Sequence, residues 1–219
     1  SEMCIRDSPY GEGYYDDFNT AVGLDSAGRT QLHHKGKLVI GVENTPTVIF
    51  DLMQFLVIDL GGVVGQIGMG QHGTAFAHAG MRMGPAICYE GLYGDFYGDF
   101  VRRGAQFMAI ISNDGWWGDT PGYKHLFTIS RLRAIEHRRA IARSANTGMS
   151  GFISARGDIG ETLGWEKRGV ISAAVPLNSE LTFYTRYGDY LGRISEYLTL
   201  LCVLYYIAYR VKRKNYLVK

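Results

Sequence analysis

The order of apolar and polar segments in this 219-residue sequence predicts an α/β fold. A strand-like segment ends at Cys88, and the run QFMAIISND over 106–114 is continuously apolar until its last residues, as a buried strand is. A helix-like segment follows each of them, and hairpin-like segments come last. Strand, helix, strand, long helix and hairpins are together typical of a mixed α/β domain.

Bulk composition is that of a folded domain with no sign of nucleic-acid binding. Apolar residues make up 46% and charged residues 20% of the chain, and the net charge is only +2. The three cysteines, Cys4, Cys88 and Cys202, lie in unrelated contexts, which disfavours a disulfide framework or a zinc site.

The first half of the chain reads as strands and loops. Residues 18–41 predict a strand, a turn and a second strand, with the turn at 25–28. Residues 55–70 are rich in glycine and predict a loop with short strands. A helix is expected over 91–105, directly after Cys88.

The second half contains the clearest predicted helix. Over 126–145 the apolar residues recur at helical spacing, while arginines occupy the remaining positions; these apolar residues are Leu126, Ile129, Leu132, Ile135 and Ile141. A loop is expected before it, over 115–125. After it, residues 148–177 predict strands joined by turns at 156–158 and 167–169.

The two ends of the chain differ from the body. Residues 1–8, SEMCIRDS, show no periodicity and no evident partner, so we expect a non-native leader there. This interpretation makes the chain a fragment that lacks its N-terminal part. At the other end, residues 194–209 are almost wholly apolar, and a basic stretch follows them.

The C-terminal run predicts a transmembrane helix over 191–211 with a basic tail over 212–219. Its tyrosines suit the interfaces of a bilayer, and Arg210, Lys212, Arg213 and Lys214 form the kind of flank that stays in the cytoplasm. A full span needs about 20 apolar residues, so the run is slightly short. The alternative is a buried C-terminal helix.

Cys88 is the first candidate for chemistry. A helix that starts just after it would place the sulfur near a helix N-terminus, which favours a thiolate. The carboxylate of Glu90 follows two residues later, after Tyr89. The alternative for a lone cysteine is an inert core residue.

Two further segments carry polar residues suited to catalysis. Lys35 and Glu43 flank a short predicted strand; a lysine can stabilise an oxyanion and a glutamate can orient it, although both could be ordinary surface charges. Asn113 and Asp114 lie where the second strand stops, which is where ligands bind in α/β sheets. The alternative for that segment is a simple turn.

Trp116 and Trp117 come directly after that strand end, between two glycines. Adjacent indoles with Gly115 and Gly118 on either side predict a mobile apolar flap suited to a lipid interface. The alternative is that one tryptophan belongs to the core.

Four stretches resemble the nitrilase, or carbon–nitrogen hydrolase, superfamily, and they occur in that superfamily's order: KGKLVIGVE at 35–43, ICYE at 87–90, SNDGWWG at 112–118 and RAIEHRRAIARSANTG at 133–148. The chain looks most similar to one membrane branch, the apolipoprotein N-acyltransferases, over about residues 18–210. The resemblance implies a nitrilase-like α-β-β-α sandwich, truncated at its N-terminal side, as a catalytic domain over 9–190. One C-terminal transmembrane helix follows it.

The resemblance also implies roles for single residues. Cys88 matches the nucleophile, Lys35 the catalytic lysine and Glu43 the supporting glutamate. Tyr89 and Glu90 match the residues after the nucleophile, and Asn19 matches an asparagine common in the branch. The superfamily's upstream glutamate base has no counterpart here, and residues 40–42 depart from the branch, in which proline and phenylalanine are common before the glycine.

The implied activity is acyl transfer at a membrane, for which no metal and no cofactor is expected. A phospholipid acyl chain would pass to Cys88 as a thioester and then to the N-terminal amine of an apolipoprotein's diacylglyceryl-cysteine. The expected location is the bacterial inner membrane, with the catalytic domain in the periplasm. The alternatives are a soluble nitrilase-type amidase acting on a small amide, and a catalytically incomplete remnant.

Overall fold

The computed structural model describes residues 2–7, 16–39, 43 and 67–217. Within these residues the chain forms a three-stranded sheet, a six-stranded sheet and four α-helices. We call them sheet 1, sheet 2 and α1 to α4. The predicted α/β class is confirmed.

Sheet 1 is antiparallel, in the order β1-β2-β3. Its strands are β1 (Glu2–Asp7), β2 (Asp16–Leu24) and β3 (Thr30–His34). The predicted turn joins β2 to β3, and the Asp25 carboxylate closes it by accepting hydrogen bonds from Ala27 N and Arg29 N, both at 2.9 Å. These bonds hold the pKa of Asp25 below its usual value.

Residues 1–8 were expected to have no partner in the chain, and this is corrected. Glu2–Asp7 forms β1 and pairs with β2 over six residues, from Glu2 opposite Ala21 to Asp7 opposite Asp16. The segment therefore takes part in sheet 1, while its origin as a non-native leader stays a prediction.

Sheet 2 is mixed, in the order β4-β5-β6-β7-β8-β9. The three central strands, β5 to β7, run parallel to one another, and the outer pairs are antiparallel. Its strands are β4 (Phe76–His78), β5 (Met81–Ile87), β6 (Phe107–Ser112), β7 (Ile141–Ala145), β8 (Ser150–Ile153) and β9 (Ile159–Leu163). Parallel neighbours place the ends of β5, β6 and β7 at one edge of the sheet.

Two helices cross between these parallel strands and cover sheet 2. Helix α1 (Gly94–Arg102) connects β5 to β6, and α2 (Pro121–His137) connects β6 to β7. Their apolar side chains form one core with the sheet, which includes Tyr97, Phe100, Val101, Phe127, Met108, Ile110 and Ile141. This packing fixes the strand ends that carry the candidate site.

The predicted helix over 126–145 is correct in its middle and wrong at both ends. Helix α2 starts earlier, at Pro121, because Thr120 caps it by accepting a hydrogen bond from Gly122 N. It ends at His137, where Arg138 takes the left-handed conformation with φ 51°. Ile141 then lies in β7, not on the helix.

Two other predicted strands are absent from the described residues. Residues 35–39 follow β3 without strand structure, and no strand follows β9 up to residue 182. The turn at 156–158 is confirmed: Gly157 has φ 86° and donates its N–H to Ser154 O. The predictions for 40–42 and for most of 55–70 lie outside the described residues.

The C-terminal segment forms two helices, α3 (Phe183–Tyr187) and α4 (Tyr190–Leu217). Within α4, Tyr190–Arg210 is 21 residues long with a mean hydropathy of 1.3, and none of this stretch is buried against the rest of the chain. By length and composition it could cross a membrane. The alternative of a buried C-terminal helix is not supported.

Candidate active site

Cys88 lies where β5 ends, on a tight turn. It is the first residue of a short 3-10 helix, Cys88–Leu92, and its own φ is +43°. A side chain with a Cβ at positive φ is strained, typically by about 1–3 kcal/mol, and such strain clusters at functional sites. The turn leaves Cys88 half-buried, while Ile87 before it is fully buried.

The α-helix that was expected to start at the sulfur starts later. The turn after Cys88 is 3-10 helix, and α1 begins only at Gly94. Tyr93 lies between the two helices with an extended backbone, φ −96° and ψ 97°, and so separates the 3-10 turn from α1. The argument from an α-helix N-terminus at Cys88 is therefore corrected.

Glu90 connects the Cys88 turn to the loop that contains Lys35. Its carboxylate is fully buried and accepts hydrogen bonds from Ile87 N at 2.7 Å and from Gly36 N at 2.6 Å. His33 Nε2 lies 3.1 and 3.2 Å from the same two oxygens. The Glu90 carboxylate thus holds together Ile87, the residue before the cysteine, and Gly36, the residue after the lysine.

Lys35 is itself buried and paired. Its Nζ donates to Glu43 Oε1 at 2.7 Å, and only 2% of the lysine side chain is exposed. Asn19 Nδ2 donates to the same oxygen at 3.2 Å, and Val39 N donates to the other at 2.7 Å. The structure therefore brings together Asn19, Lys35 and Glu43, three of the predicted site residues.

Asn113 lies at the end of β6, on the edge of sheet 2 that carries Cys88. Ile87 pairs with Ile111 across β5 and β6, so the residues that follow each strand are neighbours at this edge. The Asn113 side chain accepts hydrogen bonds from Gly115 N at 3.3 Å and from Asn146 Nδ2 at 2.7 Å. Asn113 therefore belongs to a loop cluster built by β6 and β7.

Asp114 anchors this cluster in the interior. Its carboxylate is fully buried and is met by both Arg143 Nη2, at 2.8 and 2.9 Å, and Ser112 Oγ, at 2.5 Å. Arg143 is buried as well. A side chain at Gly148 would collide with this carboxylate, which explains the glycine. A paired and hydrogen-bonded charge is the form in which a buried carboxylate is tolerated.

The aromatic candidates lie at the surface around these turns. Trp116 and Trp117 sit in the 3-10 helix Asp114–Trp117 and are 60% and 44% exposed. Tyr89 is half-buried and meets Tyr93 edge to face, with 5.5 Å between ring centroids. A hydrogen bond with Tyr89 raises the pKa of Tyr93 above its usual value.

A second polar network joins α2 to the Cys88 turn and to α3. Arg133 Nη1 donates to Leu92 O at 3.1 Å, and His137 contacts Gly94 O at 3.0 Å and Thr185 Oγ1 at 2.9 Å. Burial lowers the pKa of His137 to about 3, so the imidazole is neutral. Burial also raises the pKa of Glu136 in the same network.

Sequence reasoning did not select three residues that the structure places at the site: His33, Arg143 and Asn146. Asp114 was noted at the strand end but not as a site residue. Only the sequence positions of His33, Arg143 and Asn146 could have pointed to them. His33 lies two residues before Lys35, Arg143 lies in β7 and Asn146 directly follows β7. Among the described residues, no group of three or more His, Cys, Asp or Glu could hold a metal ion.

Comparison with known families identifies the class of protein. The family model described as carbon-nitrogen hydrolase matches residues 4–181, and the chain belongs to this family. The apolipoprotein N-acyltransferase of Chlorobaculum tepidum is 36% identical over 181 residues, which cover 80% of this chain and 34% of that protein. That of Rhizobium meliloti is 42% identical over 97 residues, 44% of this chain and 18% of that protein. The chain spans about a third or less of these relatives' length.

Solved structures agree on the fold. Saccharomyces cerevisiae Nit3, a member of the nitrilase superfamily, matches with a TM-score of 0.53 at 18% identity, over 75% of this chain and 55% of that chain. The Caenorhabditis elegans NitFhit protein matches with a TM-score of 0.52 at 20% identity, over 68% of this chain and 36% of that chain. The nitrilase-superfamily fold that the sequence motifs implied is confirmed.

Proposed function

We propose that this chain is the catalytic part of an N-acyltransferase that transfers a phospholipid acyl chain to the N-terminal amine of an apolipoprotein. The observation that carries the proposal is the Glu90 carboxylate, which joins the strained Cys88 turn to the loop of the buried Lys35. The similarity to apolipoprotein N-acyltransferases supports the choice of acyl donor and acceptor.

The proposed chemistry uses a thioester. The Cys88 thiolate attacks the ester carbonyl of the phospholipid, and the Lys35 ammonium stabilises the oxyanion that forms. Collapse releases the lysophospholipid alcohol, which takes up a proton, and leaves an acyl thioester on Cys88. The neutral amine of the diacylglyceryl-cysteine then attacks the thioester, loses one proton to solvent, forms the amide and releases the thiolate.

The remaining site residues support these two groups. Glu43 and Asn19 hold the Lys35 side chain, Glu90 holds the Cys88 turn, and Tyr89 and Asn113 line its surroundings. The superfamily's upstream glutamate is the expected acceptor of the thiol proton, and none of the described residues is assigned to that role.

Helix α4 is proposed to anchor the domain in the bacterial inner membrane. Its apolar side chains are exposed along the helix; examples are Leu198, Leu201, Leu204 and Ile207. Arg210, Lys212 and Arg213 follow at its C-terminal end. Because basic flanks stay in the cytoplasm, this orientation puts the catalytic domain in the periplasm.

Trapping the thioester tests the proposed chemistry. The detergent-solubilised chain is incubated with phospholipid at about pH 9, where a cysteine thiol ionises in water without a base. Intact-mass analysis should show one acyl adduct that hydroxylamine removes. Cys88→Ser should abolish it, whereas Cys202→Ser, which changes the exposed cysteine of α4, should keep it. An adduct that persists in Cys88→Ser would refute the nucleophile.

Fractionation tests the membrane anchor. The chain, expressed with an export signal, should stay in the membrane pellet after a carbonate wash. A variant that ends at Asp189, before α4, should be released. Recovery of the full chain as a soluble monomer without detergent would instead favour the soluble amidase.

A further inference from the structure

A cavity of about 620 Å³ lies where the catalytic domain meets the start of α4. We call it the junction cavity. Its walls come from the loop after β3, the first turns of α1 and the residues just before α4; they include Lys37, Tyr93, Phe96, Arg102, Tyr184 and Asp189. Tyr93 follows the Cys88 turn directly, so the cavity is next to the candidate active site but is not lined by Cys88 itself.

Lys37 lines this cavity and presents its ammonium group to it. Its Nζ lies 5.3 Å from the ring centroids of both Tyr93 and Phe96. Among the residues the structure describes, no Asp or Glu forms an ion pair with it, in contrast to Lys35, which pairs with Glu43. The rings of Tyr93 and Phe96 thus position the Lys37 ammonium, for which the described part of the chain supplies no carboxylate.

The arginines of the cavity are already compensated. Arg102 pairs with Asp95 at 3.3 Å and with Asp99 at 3.8 Å, and Arg133 pairs with Glu136 at 2.8 Å. Their charges largely cancel inside the protein. The unbalanced positive charge of this wall is therefore that of Lys37.

A negative group lies at the α4 end of the cavity. Asp189 lines the cavity with an exposed side chain, and its Oδ1 accepts a hydrogen bond from Gly192 N at 2.8 Å at the start of α4. A ligand with a phosphate and an ammonium group would match this arrangement.

We propose that the junction cavity binds the headgroup of a zwitterionic phospholipid, with its phosphate on Lys37 and its ammonium towards Asp189. The inference rests on the proposed function, because α4 in a bilayer would hold the cavity at the level of the lipid headgroups. The junction cavity would thus recognise the lipid headgroup with residues other than Cys88 and Lys35, which act on the ester.

Binding of a soluble headgroup tests this site without turnover. The chain in detergent is titrated with glycerophosphoethanolamine, with inorganic phosphate and with ethanolamine, and binding is followed by ligand-observed NMR. Glycerophosphoethanolamine should bind more tightly than either part alone. Lys37→Gln should weaken it about tenfold, the loss expected for one hydrogen bond to a charged group, and Lys37→Arg should retain it.

Lys124→Gln is the matched control, because Lys124 Nζ also lies over an aromatic ring, 5.6 Å from the centroid of Tyr123, but outside the cavity. Its binding should equal that of the unchanged chain. Inorganic phosphate that binds as tightly as the whole headgroup would overturn the lipid assignment, and equal binding by Lys37→Gln would overturn the site. Cys88→Ser should bind normally, so a failure here is distinct from a failure of the thioester chemistry.

Discussion

Glu90 and Asp114 are two fully buried carboxylates at the same edge of sheet 2, and their partners differ in kind. Asp114 is paired with the guanidinium of Arg143, within the loops that follow two neighbouring strands. Glu90 accepts backbone N–H groups from Ile87 and Gly36 and contacts His33, and so joins sheet 2 to the end of sheet 1.

This difference in partners predicts different roles: Asp114 should contribute mainly to folding stability, and Glu90 mainly to the alignment of the Cys88 turn with the Lys35 loop. Removing one member of a buried ion pair leaves an uncompensated charge, so the Asp114 site should respond mainly in folding free energy. A carboxylate held by backbone donors from two distant segments fixes their relative position. The Glu90 site should therefore respond mainly in the reactivity of Cys88.

Asp114→Asn should have the largest effect on stability. It leaves the buried Arg143 guanidinium without its counterion, which typically costs about 3–5 kcal/mol of unfolding free energy. Chemical denaturation measures it. Asp119→Asn, in the same loop but exposed, is the control and should change stability by less than about 0.5 kcal/mol. Equal effects of the two substitutions would contradict the comparison.

Lys35→Met should slow acyl transfer to Cys88 by about 10²–10³-fold, the loss typical of one oxyanion donor. The methionine keeps most of the aliphatic stem and removes the charge. Thioester formation is timed with a phospholipid and with a p-nitrophenyl ester, which has no headgroup, and Lys35→Met should slow both. Unfolding is measured in parallel, because Glu43 loses its cation.

Lys37→Met separates the two lysines in the same assay. It should slow the phospholipid reaction and leave the p-nitrophenyl ester unchanged, since Lys37 lines the junction cavity and Lys35 is paired at the site. Loss with both donors at Lys37 and with neither at Lys35 would show that the roles are reversed.

Glu90→Gln should cost about 1–3 kcal/mol of stability and also slow alkylation of Cys88 by iodoacetamide. A glutamine offers one acceptor oxygen and an NH₂ group where the site presents donors from Ile87, Gly36 and His33. One donor is then left without an acceptor. A stability loss with unchanged alkylation would show that Glu90, like Asp114, contributes to folding and not to the reactivity of Cys88.

The sequence predicted those features of the fold and site that depend on local motifs, and it missed those that depend on contacts between distant segments. The ordered motifs predicted the fold and the grouping of Lys35 with Glu43, because local motifs carry that information. The periodicity of 126–145 predicted a helix but not the face of α2 that is buried. Helix α2 buries the polar side chains of Ser130, Arg133 and His137, while Leu132 and Ile135 are 50% and 39% exposed. Hydrogen bonds to Leu92 O and Gly94 O make that burial tolerable, and they are invisible in a hydropathy pattern.

The Asp114–Arg143 pair could not be predicted for a related reason. The two residues are 29 positions apart, and their contact depends on the parallel register of β6 and β7, in which Ser112 pairs with Ala145. Glu90 was easier to select, since it stands two residues from the thiol. Its link to Gly36, however, spans 54 positions and appears only in the folded chain.

The smallest expected effect concerns the surface that Asp114 holds in place. Trp116 and Trp117 are exposed, and we predict that they contact acyl chains, so tryptophan emission should shift to shorter wavelength when phospholipid vesicles are added. Trp165 is the internal control, because it is half-buried and packs on Tyr123 with 4.8 Å between ring centroids. Trp116→Phe should remove more of the shift than Trp117→Phe, since Trp116 is the more exposed. A shift that survives the double substitution would arise from Trp165 and would exclude the flap. Loss of the shift in Asp114→Asn would show that lipid contact depends on the buried Asp114–Arg143 pair beneath the loop.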